Sequence, residues 1–539
     1  MIIIFFHSLL FIYILYLNGF IFLKNILKIK ESYNFYEISL IGLVVIIIIA
    51  QFLNFFIPLS DNLLIFNIIL VTFYFLYFKK ILLKSLNINF KIFLLLGLVS
   101  LSNIYGSGYS DDINHYHYSY IANTDVSNFI WGSSFLHPLY GTAPSWLTVH
   151  SYLNFDQFRL QDIHVLNGMI FFLVLGCLFS ELHSSNKKKI YFPVLFSIIM
   201  FVLLKYTRLK EFGIDRPSTL LFCFLLFYYL KYFLEPLKEQ IIKNFIIITL
   251  VSLTIFSIKV IYLPVLFFPL VIFFKNRLIL LKKDFSYLII LLPILLILMK
   301  NLLGSGCLIF PLASSCIEYL SWSNPVGAKD LSVSAEIFNK SWHSYTGIFS
   351  EKDFIQNFNW FNTWFLRVKV EILELFLTSF LIILITFFSF KLKFKKSFLN
   401  EGLTKDFRII LLLIIILSLL IFFLKNPVIR MNHFLAISLM TFIFSSIFTF
   451  NIEKYNKNFI TVFLIIGLIF NLSKNLQRIS KNDFINNPYL MINEKVFKQE
   501  KKSIDGFTYY VGWYGEAPIA ASPLVRKNYK KILIFDVLY

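Results

Sequence analysis

The chain has 539 residues, 58% of them hydrophobic and only 15% charged, whereas an ordinary soluble domain carries ~25% charged residues. That composition excludes a soluble globular enzyme. The net charge of +20 is not taken as a nucleic-acid signal, because the abundant Phe, Tyr, Ile, Asn and Lys share AT-rich codons.

Apolar runs near 2–23, 38–58, 63–78 and 91–105 open the chain. The first lacks a basic leader and a small-residue cleavage pattern, so it is expected to be retained as a span. Further runs lie near 164–182, 190–204, 218–234, 244–258, 260–274, 285–303, 370–390, 409–424, 433–450 and 458–473. Each is close to the length that crosses a hydrocarbon layer ~30 Å thick. The expectation is an all-α polytopic membrane protein with about 12–14 transmembrane helices, large outward loops and a small C-terminal appendage. Three regions follow: N-terminal helices over 1–90, a transmembrane core over 91–473, and a segment over 474–539.

Basic residues then orient the spans. The connections at 24–35, 79–91, 183–189, 231–243, 275–284, 391–408 and 451–457 hold 3, 4, 3, 3, 4, 6 and 2 Lys or Arg. All seven fall on one side if the fourteen spans alternate, which is the cytoplasmic side. The stretches 106–163, 304–368 and 474–539 then face outward, and the first of these has Arg159 as its one cation.

That first outward stretch begins GSGYSDDINHYHYSY over 106–120 and carries Asp111, Asp112, His115, Tyr116 and His117. Its second half mixes small residues, prolines and aromatics, which suits a loop folded back on the protein. A carboxylate held partly out of water, beside imidazoles, suits a general base. The adjacent acids could also bind a divalent cation, although the spacing displays no complete ligand set. Other outward connections supply cations: Arg216 beside Asp215, Lys259 between two apolar runs, and Arg430 in KNPVIRMNH. Lys259 reads equally as a snorkelling side chain or as a phosphate contact. Cys307 and Cys316, nine residues apart in SGCLIFPLASSC, read either as a small disulfide loop or as two free thiols. The strand-like runs 508–511 and 531–537 occupy the tail. No nucleotide-binding glycine motif occurs.

The order and side of these motifs resemble the GT-C class of membrane glycosyltransferases, which includes protein O-mannosyltransferases and lipid A aminoarabinose transferases. The resemblance covers roughly residues 90–435. It rests on Asp112 with Tyr116 and His117, Gly141 and Trp146, then Asp215-Arg216-Pro217 and Lys259, then Ser305-Gly306-Cys307 with Phe310-Pro311, and Trp322. Three additional spans precede the acidic loop. The resemblance implies sugar transfer at the outer face of the cytoplasmic membrane, from a polyprenyl-phosphate donor to a glycan, lipid or protein acceptor. Asp112, or failing that Asp111, would be the base. Lys259, Arg216 or Arg430 would neutralise the leaving phosphate, and His115, Tyr116, His117 and Asp215 would line the substrate site. Trp322, Trp342 or His343 would lie near the sugar. Two other readings stay open: a transporter or flippase for lipid-linked saccharides, and a polymerase or assembly factor.

Overall fold

A computed structural model describes residues 2–29, 33–85, 88–106, 112–142, 144–153, 165–184, 191–209, 213–234, 241–280, 288–341, 351–394, 402–449, 456–481, 499–504, 507–514, 517–518, 529–532 and 535–538. The protein is an all-α polytopic membrane protein. Among the described residues, nine helices are long and apolar enough to cross a membrane, and three shorter apolar ones accompany them. With Asp215–Leu234 and His433–Ser446, a helix lies on each of the fourteen apolar runs. Lipid offers no partner for backbone polar groups, so an uncharged run of this length must bond to itself as a helix.

Local chemistry sets the ends. Asn34 caps the Phe35–Asn54 helix, accepting from Glu37 N at 2.8 Å while Glu37 Oε2 accepts from Asn34 N at 3.0 Å, a reciprocal capping box. The run expected from 370 starts instead at Phe361, in a helix reaching Phe390. Its polar first turns are held by a satellite core of Phe354, Trp360, Trp364, Phe422 and Ile429, and Trp364 Nε1 donates to Pro427 O at 2.7 Å. The run 260–274 begins as a 3₁₀ segment, Val260–Leu266, before the Phe267–Leu280 helix.

The Val165–Ser184 helix is the centre of the bundle, with 89% of its apolar window buried, whereas Asp61–Leu83, at 11%, lies on the lipid-facing perimeter. Close helix approach in membranes relies on small residues. At the Ile2–Ile21 and Phe35–Asn54 pair, a Cβ on Gly42 would stand 1.8 Å from Leu15 O, and one on Gly19 would stand 1.9 Å from Ile38 O.

Polar side chains join three further helices in the core. Asn103 Nδ2 donates to Asn471 Oδ1 at 2.9 Å, and Asn475 Nδ2 to Asn103 Oδ1 at 2.8 Å. Asn471 Nδ2 donates to Leu203 O and Tyr206 O at 2.8 and 3.2 Å. This clamps Phe90–Tyr105, Phe192–Lys205 and Lys457–Ile479 together. Asn471→Ala removes three interhelical bonds; such bonds in lipid average ~0.6 kcal/mol each, so the loss is about 2 kcal/mol. The check is a thermal melt in detergent: the midpoint should fall, and an unchanged midpoint refutes the clamp.

The connections separate into two ends. Three of the basic ones take part in two sets of contacts: Lys393–Phe394 pairs with Phe448–Thr449 at the end of the run 433–450, and Lys231 pairs with the otherwise buried Glu37 at 3.1 Å while Lys243 Nζ donates to Lys28 O at 2.9 Å. At the other end, Gly132 N donates to Leu303 O at 2.8 Å and Asn324 Nδ2 to Ser134 Oγ at 3.4 Å. The C-terminal strands cover this end. Phe507–Tyr514 pairs antiparallel with Gln499–Ile504, and the run 531–537 divides between Tyr529–Ile532 and Phe535–Leu538. Asn123 clasps Tyr510 through both backbone groups, at 2.9 and 2.8 Å, and Leu538 N donates to Trp131 O at 3.0 Å.

Candidate functional site

The acidic loop enters this end through a π-turn, Ile113–His117, followed by the Tyr118–Val126 helix. The turn is closed by Tyr118 N donating to Ile113 O. Its i→i+5 bonding places residues i, i+4 and i+5 on one side, and such turns occur frequently at functional sites. The three residues so placed are Asp112, Tyr116 and His117, and all three line one cavity.

The cavity has a volume of about 340 Å³, within the ~300–1,000 Å³ range of small-molecule sites. The opposite wall comes from the other connections at this end. Lys259 occupies the break between the Ile241–Ile258 helix and the 3₁₀ segment, where extended backbone interrupts the helical run. Asp215 opens the Asp215–Leu234 helix and pairs through Oδ1 with Lys259. Its other oxygen, Oδ2, stands 3.5 Å from Arg430 Nε. Arg216 lies on the same wall with its guanidinium 5.6 Å from the Tyr206 ring centroid. Pro311, Asn339, Asn426 and His433 complete the rim.

Several polar atoms at the cavity lack protein hydrogen-bond partners: both ring nitrogens of His117, Arg216 Nη1, Asn426 Oδ1 and His433 Nδ1. Buried polar groups are ordinarily satisfied, so this concentration marks a place for a polar guest. His117 is 2% exposed. Burial lowers its pKa to about 4 despite the opposing pull of Asp112 and Asp215. His117 is therefore neutral at pH 7, able to donate from one nitrogen and accept at the other.

The structure brings Asp112, Tyr116, His117, Asp215, Arg216, Lys259 and Arg430 together at one cavity. It does not bring His115 or Trp322 there. His115 turns its ring edge-to-face against His137, with centroids 4.9 Å apart, and meets the Tyr116 ring at 5.9 Å, so it packs behind the cavity wall without lining it. Trp322 packs against Trp131 at 4.9 Å and donates to Leu302 O at 3.0 Å, so it holds the outer loops to each other. Asp111, Trp342 and His343 lie outside the described residues. Trp146 is structural: fully buried, it donates to Asn167 Oδ1 at 2.9 Å. Cys307 and Cys316 are joined as a disulfide. That loop brings Pro311 to the cavity and lays the Phe310 ring on Gly141, where a Cβ would meet it at 2.7 Å. Among the described residues no group of three or more His, Cys, Asp or Glu has an arrangement that could hold a metal.

Buried histidines make the fold acid-sensitive. Burial lowers His137 to about 3, and His115 is also lowered, chiefly by burial and against Asp112. Since the unfolded chain titrates near 6.5, it binds more protons than the fold below that pH. The stabilisation is complete at neutral pH and is lost as pH falls from ~6.5 towards about 3. A detergent-solubilised sample should melt lower at pH 5 than at pH 7.5, and His137→Gln should flatten that slope. Equal midpoints at the two pH values refute the assignment.

Residues 1–437 match a family model described as a domain of unknown function (DUF8201). No curated protein and no solved structure matches the chain.

Proposed function

Because the chain belongs to the DUF8201 family, defined as a domain of unknown function, its chemistry is argued from the cavity, and we propose that it is a GT-C-type membrane glycosyltransferase. It takes a sugar from a polyprenyl-phosphate donor and passes it to a hydroxyl of a glycan, lipid or protein acceptor. The basic connections face the cytoplasm, so transfer occurs at the outer face of the cytoplasmic membrane.

The observation that carries this reading is the meeting of a carboxylate wall, Asp112 with neutral His117, and a cation wall, Lys259, Arg216 and Arg430, across one cavity. Phosphate-linked sugar transfer needs both. The acceptor oxygen attacks the anomeric carbon and its proton passes to Asp112. The bond from that carbon to the phosphate oxygen breaks, and its electron pair leaves on the phosphate. Fixed cations stabilise charge as it develops there, and arginine does so with a planar fork of donors. His117 hydrogen-bonds the sugar hydroxyls, using nitrogens that no protein group occupies.

The test is reconstitution of the purified protein with a C55 prenyl-phosphate hexose and candidate acceptors, together with mass spectrometry of surface glycans and lipid-linked sugars from a deletion strain. A new glycosidic bond and a matching missing sugar are expected. Movement of the lipid-linked sugar across vesicles without bond formation overturns the reading in favour of a flippase.

A further inference from the structure

Asp215 is placed where a phosphate would be expected to bind. One oxygen engages Lys259 and the other faces Arg430, so a single carboxylate occupies the two cations in the way two phosphate oxygens would. The three partners come from separate elements: the start of the Asp215–Leu234 helix, the break at Lys259, and the 3₁₀ turn Ile429–Asn432. Like charges at close range disfavour one another wherever water is excluded, and the shared Asp215 carboxylate offsets that repulsion between the two cationic heads. Asp215 is itself only 23% exposed, so its charge is screened less than a surface carboxylate's.

The balance of charge bears on turnover. Among the described residues lining the cavity, three cations (Lys259, Arg216, Arg430) face two carboxylates (Asp112, Asp215), one positive charge in excess. A sugar-phosphate-prenyl diester carries one negative charge and matches that excess. The prenyl phosphate left after transfer is a monoester with a second ionisation near neutral pH, so it carries more negative charge than the site offsets.

We propose that Asp215 is a placeholder carboxylate: it keeps Lys259 and Arg430 side by side in the empty cavity, yields them to the phosphate of the incoming lipid-linked sugar, and reclaims them as the prenyl phosphate departs. This rests on the lipid-phosphate reading above. Asp215 is thus a positioning residue that acts through the two cations and also speeds product release.

Asp215→Asn removes the competitor and raises the excess to two charges, which suits the product dianion. Binding of C55 prenyl phosphate to the full chain in phosphatidylcholine nanodiscs should tighten by roughly tenfold, the equivalent of ~1.4 kcal/mol. In the transfer assay kcat and the donor KM should both fall, and Asp215→Glu should restore wild-type binding. A merely structural lesion weakens binding and lowers the melting midpoint, so a gain in affinity is diagnostic. Unchanged or weaker binding in a variant that melts like wild type overturns the proposal. Three arms separate other failures. If Lys259→Gln and Arg430→Gln bind prenyl phosphate like wild type, there is no phosphate site and the glycosyltransferase reading fails with it. If phosphatidylglycerol gains as much as prenyl phosphate in Asp215→Asn, the group bound is any lipid phosphate and the donor assignment is overturned. If inorganic phosphate gains and prenyl phosphate does not, the lipid link is overturned.

Discussion

Asp112→Asn is expected to lower sugar transfer by roughly 10²–10⁴-fold, the range that general-base catalysis contributes, while the protein stays folded. The substitution keeps shape and hydrogen-bonding capacity but removes the proton acceptor. Asp112 is partly exposed to the cavity, so no buried charge is left without its partner. Among the described residues no neighbour replaces it. His117 lines the same wall, and with its pKa depressed to about 4 by burial it is a weak base for a hydroxyl. Asp215 already pairs with two cations. The check is an initial rate with saturating donor beside a melting curve. Full activity in a variant that melts like wild type removes Asp112 from the chemistry. Asp111→Asn, assayed in parallel, tells which of the adjacent acids matters.

Gly42→Val should have the largest effect on the fold. The Ile2–Ile21 and Phe35–Asn54 helices touch backbone to backbone where Gly19 and Gly42 face each other. A Cβ at position 42 would meet Leu15 O at 1.8 Å and Gly19 N at 2.8 Å. Those atoms belong to helical backbone and cannot rotate aside, so the helices must separate along their contact. Overpacking of this kind costs about 3 kcal/mol, occasionally more. Dispersion is lost along the seam as well, and in lipid no hydrophobic force compensates. Folded protein recovered from membranes should fall several-fold, and size-exclusion profiles should broaden. A valine variant with wild-type yield and midpoint contradicts the close approach.

The helices were legible because fourteen long apolar runs leave the backbone one option in lipid. The sidedness of the connections was read from basic residues recurring in every second one. Boundaries were less so: Phe361–Phe390 begins nine residues early because Trp360 and Trp364 extend it into the satellite core, a tertiary cause. Asp112 with Tyr116 and His117 was readable as a cluster, but the π-turn that aims all three at the cavity and turns His115 aside was not. The pairing of Asp215 with Lys259 and Arg430 spans up to 215 residues, and the signal was limited to charges placed beside apolar runs. Thr142, Asn339, Asn426 and His433 at the cavity were missed. Asn426 and His433 flank Arg430 in one polar string between two helices, which could have pointed to them; Asn339, on a polar helix, carried no such mark.

The clasp between Asn123 and Tyr510 joins positions 387 residues apart, and it bears on biogenesis. The loop carrying Asp112 emerges from the ribosome early, yet its outer brace is synthesised hundreds of residues later. Throughout translation the acidic wall must wait half-supported at the translocon, and any premature stop before the last strands yields an inserted bundle whose mouth was never closed.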